Sequence, residues 1–275
     1  MENFMPTIDL GAVGVVLSPA SNGLAAAARE VEALGYSALW LTGGPLQSLD
    51  QVREVVEATS RIRVATGILA VDRFPAADAT ALYSDLEASH PGRFVVGLGG
   101  AHGPRPLRTL AEYVDALGDA VPPTARVFAA LGPKMLAFAR EHGSAAYPGL
   151  VIPGYTKQAR AALGDDTTLA VSQLAVLDTD PGRARAAARG PVGFLGSLPA
   201  YQASFRRMGF TEEEITTLAD RLVDELVPHG DVATIAAAVA AQSAAGADHV
   251  AVSLVAEGAD VPLDSLRALA KALLD

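Results

Sequence analysis

The chain has 275 residues, 50% of them hydrophobic, and its 21 Lys plus Arg against 31 Asp plus Glu give a formal charge of −10. That length suits one α/β barrel or two smaller domains, and so acidic a surface repels nucleic acid and anionic lipid. With no cysteine, disulfides, thiolate catalysis and cysteine-held zinc or iron–sulfur centres are excluded, while redox chemistry on an organic cofactor stays open.

The opening residues 1–6 carry no basic region of a secretory signal, and the apolar run at 10–17 is too short to span a bilayer, so a cytoplasmic protein without a membrane partner is expected. Short apolar runs then alternate with alanine-rich amphipathic segments, the pattern of βα units around a parallel sheet. The spacing predicts strands at 12–17, 38–41, 63–68, 94–98, 127–131, 149–152, 169–176 and 249–254, which is the strand count of a barrel. Between them, Asn22 is placed to cap a helix that Gly35 ends, and Pro75 precedes a second helix. Pro133 opens a third that stops at Gly143. No linker of distinct composition interrupts the series, so residues 1–275 read as a single domain.

Residues 184–232, between the seventh and eighth strands, are too long for an ordinary crossover and hold most of the aromatic residues of the C-terminal half. They predict a helical insertion, either as an extra layer or as a lid on a pocket. Its acidic run at 212–214 reads as an exposed first helical turn, and no metal-ligating pattern accompanies it.

The stretch 90–102 carries the main chemical signal. His90-Pro-Gly-Arg turns into an apolar strand, which opens onto Leu98, Gly99, Gly100 and Ala101, followed by His102. Loops beyond the carboxyl ends of parallel strands bind ligands, and glycines there admit a flat or phosphorylated molecule close to the backbone. His102 replaces the last glycine of the G-x-G-x-x-G dinucleotide fingerprint, and the motif follows the fourth strand rather than the first, which demotes a Rossmann fold. A tight loop without a ligand is the alternative. His102 is the best-placed imidazole for catalysis or proton transfer, while His90, His142, His229 and His249 fit structural roles. Gly132 and Lys134 after the fifth strand, and Gly154, Tyr155 and Thr156 after the sixth, place donors at helix starts where phosphate can bind, with Arg160 as a further charge. Solvated lysines are the plainer reading.

Taken together, 35–40 (Gly-Tyr-Ser-Ala-Leu-Trp), 64–68 (Val-Ala-Thr-Gly-Ile), 90–94 (His-Pro-Gly-Arg-Phe), 129–136, 245–250 and 266–274 span nearly the whole chain. In order and spacing this series resembles the luciferase-like monooxygenase superfamily, and within it the F420-dependent oxidoreductase subgroup of actinobacterial type. The resemblance implies a (β/α)8 TIM barrel that binds the deazaflavin F420 at the strand carboxyl ends. It implies hydride transfer between that cofactor and a small organic substrate, with an FMN-dependent monooxygenase as the neighbouring possibility. It further implies a non-prolyl cis peptide between Gly67 and Ile68 beneath the cofactor ring, and a homodimer. Two places depart from the pattern. Thr42 and the glycines after it stand where such proteins carry an acidic residue or an Asp-His pair, and Gly154-Tyr155-Thr156 stands where they carry Glu-His-Thr. The departures motivate a third reading, a ligand-binding barrel without turnover, in which Thr42 and Thr156 keep some hydrogen-bonding capacity.

Overall fold

The computed structural model of the chain describes residues 7–101, 103–255 and 258–274. Its strands are β1 (Val13–Leu17), β2 (Ala38–Thr42), β3 (Arg63–Gly67), β4 (Leu69–Ala70), β5 (Phe94–Gly99), β6 (Arg126–Phe128), β7 (Ala145–Ala146), β8 (Thr168–Ala175) and β9 (His249–Leu254). All pairings are parallel, and β9 returns to pair with β1, which closes the sheet. The short β4 prolongs β3 beyond Ile68 and pairs with β5, so the two count as one wall of an eight-stranded (β/α)8 barrel.

Helices α1 (Leu24–Ala33), α2 (Asp50–Ala58), α3 (Ala76–Ser89), α4 (Pro106–Leu117), α5 (Pro133–His142) and α6 (Pro153–Leu163) surround the first part of the barrel. The insertion after β8 is α7 (Pro181–Gly196), α8 (Pro199–Arg207), α9 (Glu212–Thr217) and α10 (Asp220–Leu226), and α11 (Val232–Ala244) and α12 (Leu263–Leu273) complete the ring. Proline at the first turn starts α4, α5 and α6, where its missing N–H has no intrahelical partner to lose. The acidic run at 212–214 is the first turn of α9, held by a capping box between Thr211 and Glu214. Asn22 does not cap α1. Gly23 takes that position, and the Asn22 amide donates to Asp260 instead, at 3.0 Å.

The sixth barrel strand corrects the sequence reading. It lies at Ala145–Ala146, and residues 149–152 are irregular apart from one bridge between Gly149 and Ser172. The strand was hard to see because it is two fully buried alanines, with none of the β-branched residues that mark a strand.

Side chains alternate along every strand. Leu39, Leu41, Val64, Val96, Phe128 and Val171 face outward into the main core shared with the helices. A second, inner cluster fills the lumen. There Trp40 from β2 lies flat on Tyr147, which follows β7, with ring centroids 4.0 Å apart and planes 1° apart. Two large aromatic rings across one lumen require small neighbours, and the inward positions Ala38, Ala65, Ala145, Ala170 and Ala251 supply them. Gly14 is needed for the same reason, since a Cβ there would come within 2.7 Å of the His249 ring. The insertion has its own apolar centre of Val192, Phe205, Phe210, Ile215, Leu222 and Val223.

His249 closes the base of the lumen. Its Nε2 accepts from Trp40 Nε1–H at 3.0 Å, so its proton sits on Nδ1, which donates to the Gly11 carbonyl at 2.8 Å. Burial pushes the imidazole down to about 4 from 6.5. Above pH 6.5 the ring is neutral in both folded and unfolded chains. Between 6.5 and about 4 the unfolded chain takes up a proton that the native state refuses, so stability is lost across that window, by roughly 3 kcal/mol in all. The unfolding free energy of wild type minus that of His249→Gln should therefore shrink between pH 7 and pH 4.5 in denaturant titrations. A difference that stays constant with pH would show that the imidazole does not titrate in this way.

Candidate functional site

The two ends of the barrel are built differently, and the base is tied shut. Arg93, from the His-Pro-Gly-Arg turn, donates to the Ile62 carbonyl at 2.6 Å and to Thr59 Oγ1 at 2.7 Å, which joins the end of α2 to the start of β3. Glu32 accepts the backbone N–H groups of Ser60, Arg61 and Ile62 in the same region. Arg160 also belongs to the base and not to a phosphate site. It bonds to Asp248 and to the Gly246 and Thr167 carbonyls.

The mouth lies at the strand carboxyl ends and is lined by small or hydroxyl-bearing positions. Thr42 ends β2, half-buried, its hydroxyl donating to the Leu17 carbonyl at 3.0 Å. The Gly67–Ile68 peptide is cis, as the resemblance implies. Beyond it the Ile68 side chain turns toward Gly99, where an added Cβ would lie 3.1 Å from Ile68 Cγ1 and 3.0 Å from Ala129 Cβ. Gly100 has φ +74°, a conformation that glycine adopts without penalty, and both it and Ala101 are half-exposed on the rim. His102 lies outside the described residues.

Several expected contacts are corrected. Leu98 faces the helices, fully buried in the outer core beside Phe128, because side chains alternate along β5 and the inward positions are Val95, Gly97 and Gly99. Tyr155 donates its hydroxyl to the Ala130 carbonyl at 2.9 Å inside the same core. Thr156 is also fully buried and donates to Gln242 Oε1 at 2.6 Å. Gln242 in turn donates to Gln173 and to the Val151 carbonyl, a satisfied polar network between α6, α11 and β8. Gly154 and Lys134 are exposed in the first turns of α6 and α5. Gly132 caps α5 beside Arg207, whose guanidinium donates to the Leu131 carbonyl at 2.7 Å and so fastens α8 to the rim.

The structure adds residues that the sequence reading missed. Tyr147 forms the floor of the mouth, 7% exposed, with the Ser172 side chain beside its hydroxyl. Ser253, inward by alternation on β9, is half-buried at the same end. Placing the sixth strand at Gly-Ser-Ala-Ala-Tyr, directly after α5, was the signal that finds Tyr147.

The first glycine after β2 has a packing explanation. A Cβ on Gly43 would sit 1.6 Å from the Ile68 carbonyl oxygen, so the wall formed by β3 and β4 leans on a residue without a side chain. Gly97 is similar, with the Thr66 carbonyl 1.8 Å from its Cβ position. There the Thr66 hydroxyl both accepts from Gly97 N–H and donates to Gly97 C=O, each at 2.9 Å, which bridges the ladder where β3 and β5 part.

No protein-family model matches this sequence, and no curated protein matches it significantly. Solved structures do match. An F420-dependent secondary alcohol dehydrogenase in complex with an F420-acetone adduct superposes with a TM-score of 0.72 at 16% identity, over 98% of this chain and 100% of the other. The coenzyme F420-dependent tetrahydromethanopterin reductase from Methanopyrus kandleri gives 0.74 at 15% identity, over 97% and 99%. The oxygenating constituent of 3,6-diketocamphane monooxygenase from Pseudomonas putida, in complex with FMN, gives 0.67 at 12%, over 96% and 98%. At such identities the shared property is the fold, which is the barrel that the sequence resemblance implies.

Gly43 and Gly44 make a paired test of the wall. Gly43→Ala should cost more than about 2 kcal/mol in a denaturant titration, because backbone must move. Gly44 has open space around its Cβ position, so Gly44→Ala should leave stability unchanged or raise it by up to about 1 kcal/mol. Equal effects would remove the packing explanation.

Proposed function

We propose that this chain is a luciferase-like oxidoreductase that holds the deazaflavin F420 at the barrel mouth and serves hydride transfer between it and a small organic substrate. The observation that carries the reading is the floor of the mouth. Half-exposed Gly67 lies directly on the Trp40–Tyr147 stack, and buried Gly99 lets the half-exposed Ile68 and Ala129 close up beside it, so no bulky side chain rises from the floor at these positions. Such a floor suits a planar tricyclic ring. The three full-length structural matches, two F420-dependent and one in complex with FMN, support the same reading.

Thr42, Ile68, Gly99, Gly100 and Ala101 are the residues that would hold the ring. Gly132 and Lys134, with Arg207 beside them, would meet a phosphorylated tail at the start of α5. Bound there, the deazaflavin supplies a two-electron hydride carrier, and the protein supplies binding, orientation and exclusion of water. Leu98, Tyr155 and Thr156 take no part, since each is committed to the outer core.

Trp40 is the chain's single tryptophan, and it lies directly under this floor, so its emission reports occupancy. Titration with F420 should quench Trp40 fluorescence with saturation in the micromolar range, about −8 kcal/mol of binding. Saturable quenching by FMN alone would favour the monooxygenase reading. Quenching by neither would reject a flavin-type cofactor and leave a ligand-binding barrel.

A further inference from the structure

Tyr147 is a polar group at an apolar position. Its ring is fixed by the stack on Trp40, and its hydroxyl lies 3.3 Å from the point that a Cβ on Gly67 would occupy. The hydroxyl is therefore level with the floor, while Gly67, Ile68 and Ser172 around it are each half-exposed. A phenylalanine would fill the same space and satisfy the same stack. The Ser172 side chain stands beside the hydroxyl. A phenol has one proton to give and lone pairs to receive, so its O–H can serve an acceptor in the mouth while the oxygen still receives from a neighbour such as Ser172. Burial raises the phenol well above its ordinary range, which keeps that proton in place at any working pH.

We infer that the Tyr147 hydroxyl, held at the floor by the stack on Trp40 and with Ser172 beside it, donates a hydrogen bond to a carbonyl oxygen on the pyrimidinedione edge of the bound ring cofactor. This rests on the functional reading above and assigns it a positioning contact that no sequence motif marks. The pyrimidinedione edge is common to deazaflavins and flavins, so the contact does not depend on which of the two the protein takes. A donor at that carbonyl draws electron density out of the ring, so it affects the chromophore as well as its affinity.

The test compares wild type, Tyr147→Phe and Ser172→Ala by equilibrium dialysis with F420 and with FMN, and by the visible absorption band of each bound chromophore. Tyr147→Phe keeps the stack and should melt at the wild-type temperature. It should bind the cofactor about tenfold more weakly and shift the absorption band relative to the wild-type complex. Ser172→Ala, which only frees the phenol to turn, should give a smaller loss and a smaller shift in the same direction. Wild-type affinity and an unshifted band in Tyr147→Phe would overturn the assignment while leaving the functional reading intact. Failure of the wild type to bind either cofactor would overturn both.

Discussion

The stack of Trp40 on Tyr147 is the constraint to which the rest of the barrel conforms. Two rings in face contact occupy the lumen from its base to its mouth, so the remaining inward positions are small, five of them alanine and the rest of the strand positions in that cluster valine. His249 must accept the indole N–H from below, which fixes its tautomer and its neutrality. From above, the phenol of Tyr147 sets the level at which the mouth begins. A lumen filled by branched aliphatic residues would pack as densely, yet it would offer no hydroxyl at the floor and no need for the run of small residues around it.

The strand β5 shows how one segment serves both ends of the barrel. Its leading turn brings Arg93 to the base, where the guanidinium satisfies carbonyls at the end of α2 and the start of β3. Its trailing glycines open the mouth. Charged side chains with buried partners gather at the base, in Arg93, Arg126 and Arg160. The mouth is walled instead by glycine, alanine and hydroxyl residues, with α8 fastened across the rim through Arg207. Charged anchoring at the base and small-residue walls at the mouth are thus separated along the barrel axis, a division usual in this architecture.

Much of this was legible from the chain. Strong β-branched or aromatic runs marked β1, β2, β3, β5, β8 and β9, and prolines and glycines marked the ends of α5. What escaped had physical causes. The strand β7 is two alanines buried on both faces, so its composition carries no signal, and misplacing it hid Tyr147. Leu98, Tyr155 and Thr156 stood beside true mouth positions in sequence, but strand alternation and helix phase turn them into the outer core. The missing acid after β2 reads in sequence as a lost group. In the structure Gly43 seats the Ile68 carbonyl, a role fixed by a contact between strands that no linear pattern displays.

The central claim is that the mouth above an immobile Trp40–Tyr147 stack receives a planar cofactor ring. A crystal structure of the protein with F420 bound tests it most directly. The account predicts the ring lying over Gly67 and Gly99, with the Trp40–Tyr147 stack beneath it unmoved. A ring bound elsewhere, or a stack broken apart to admit it, would contradict the account.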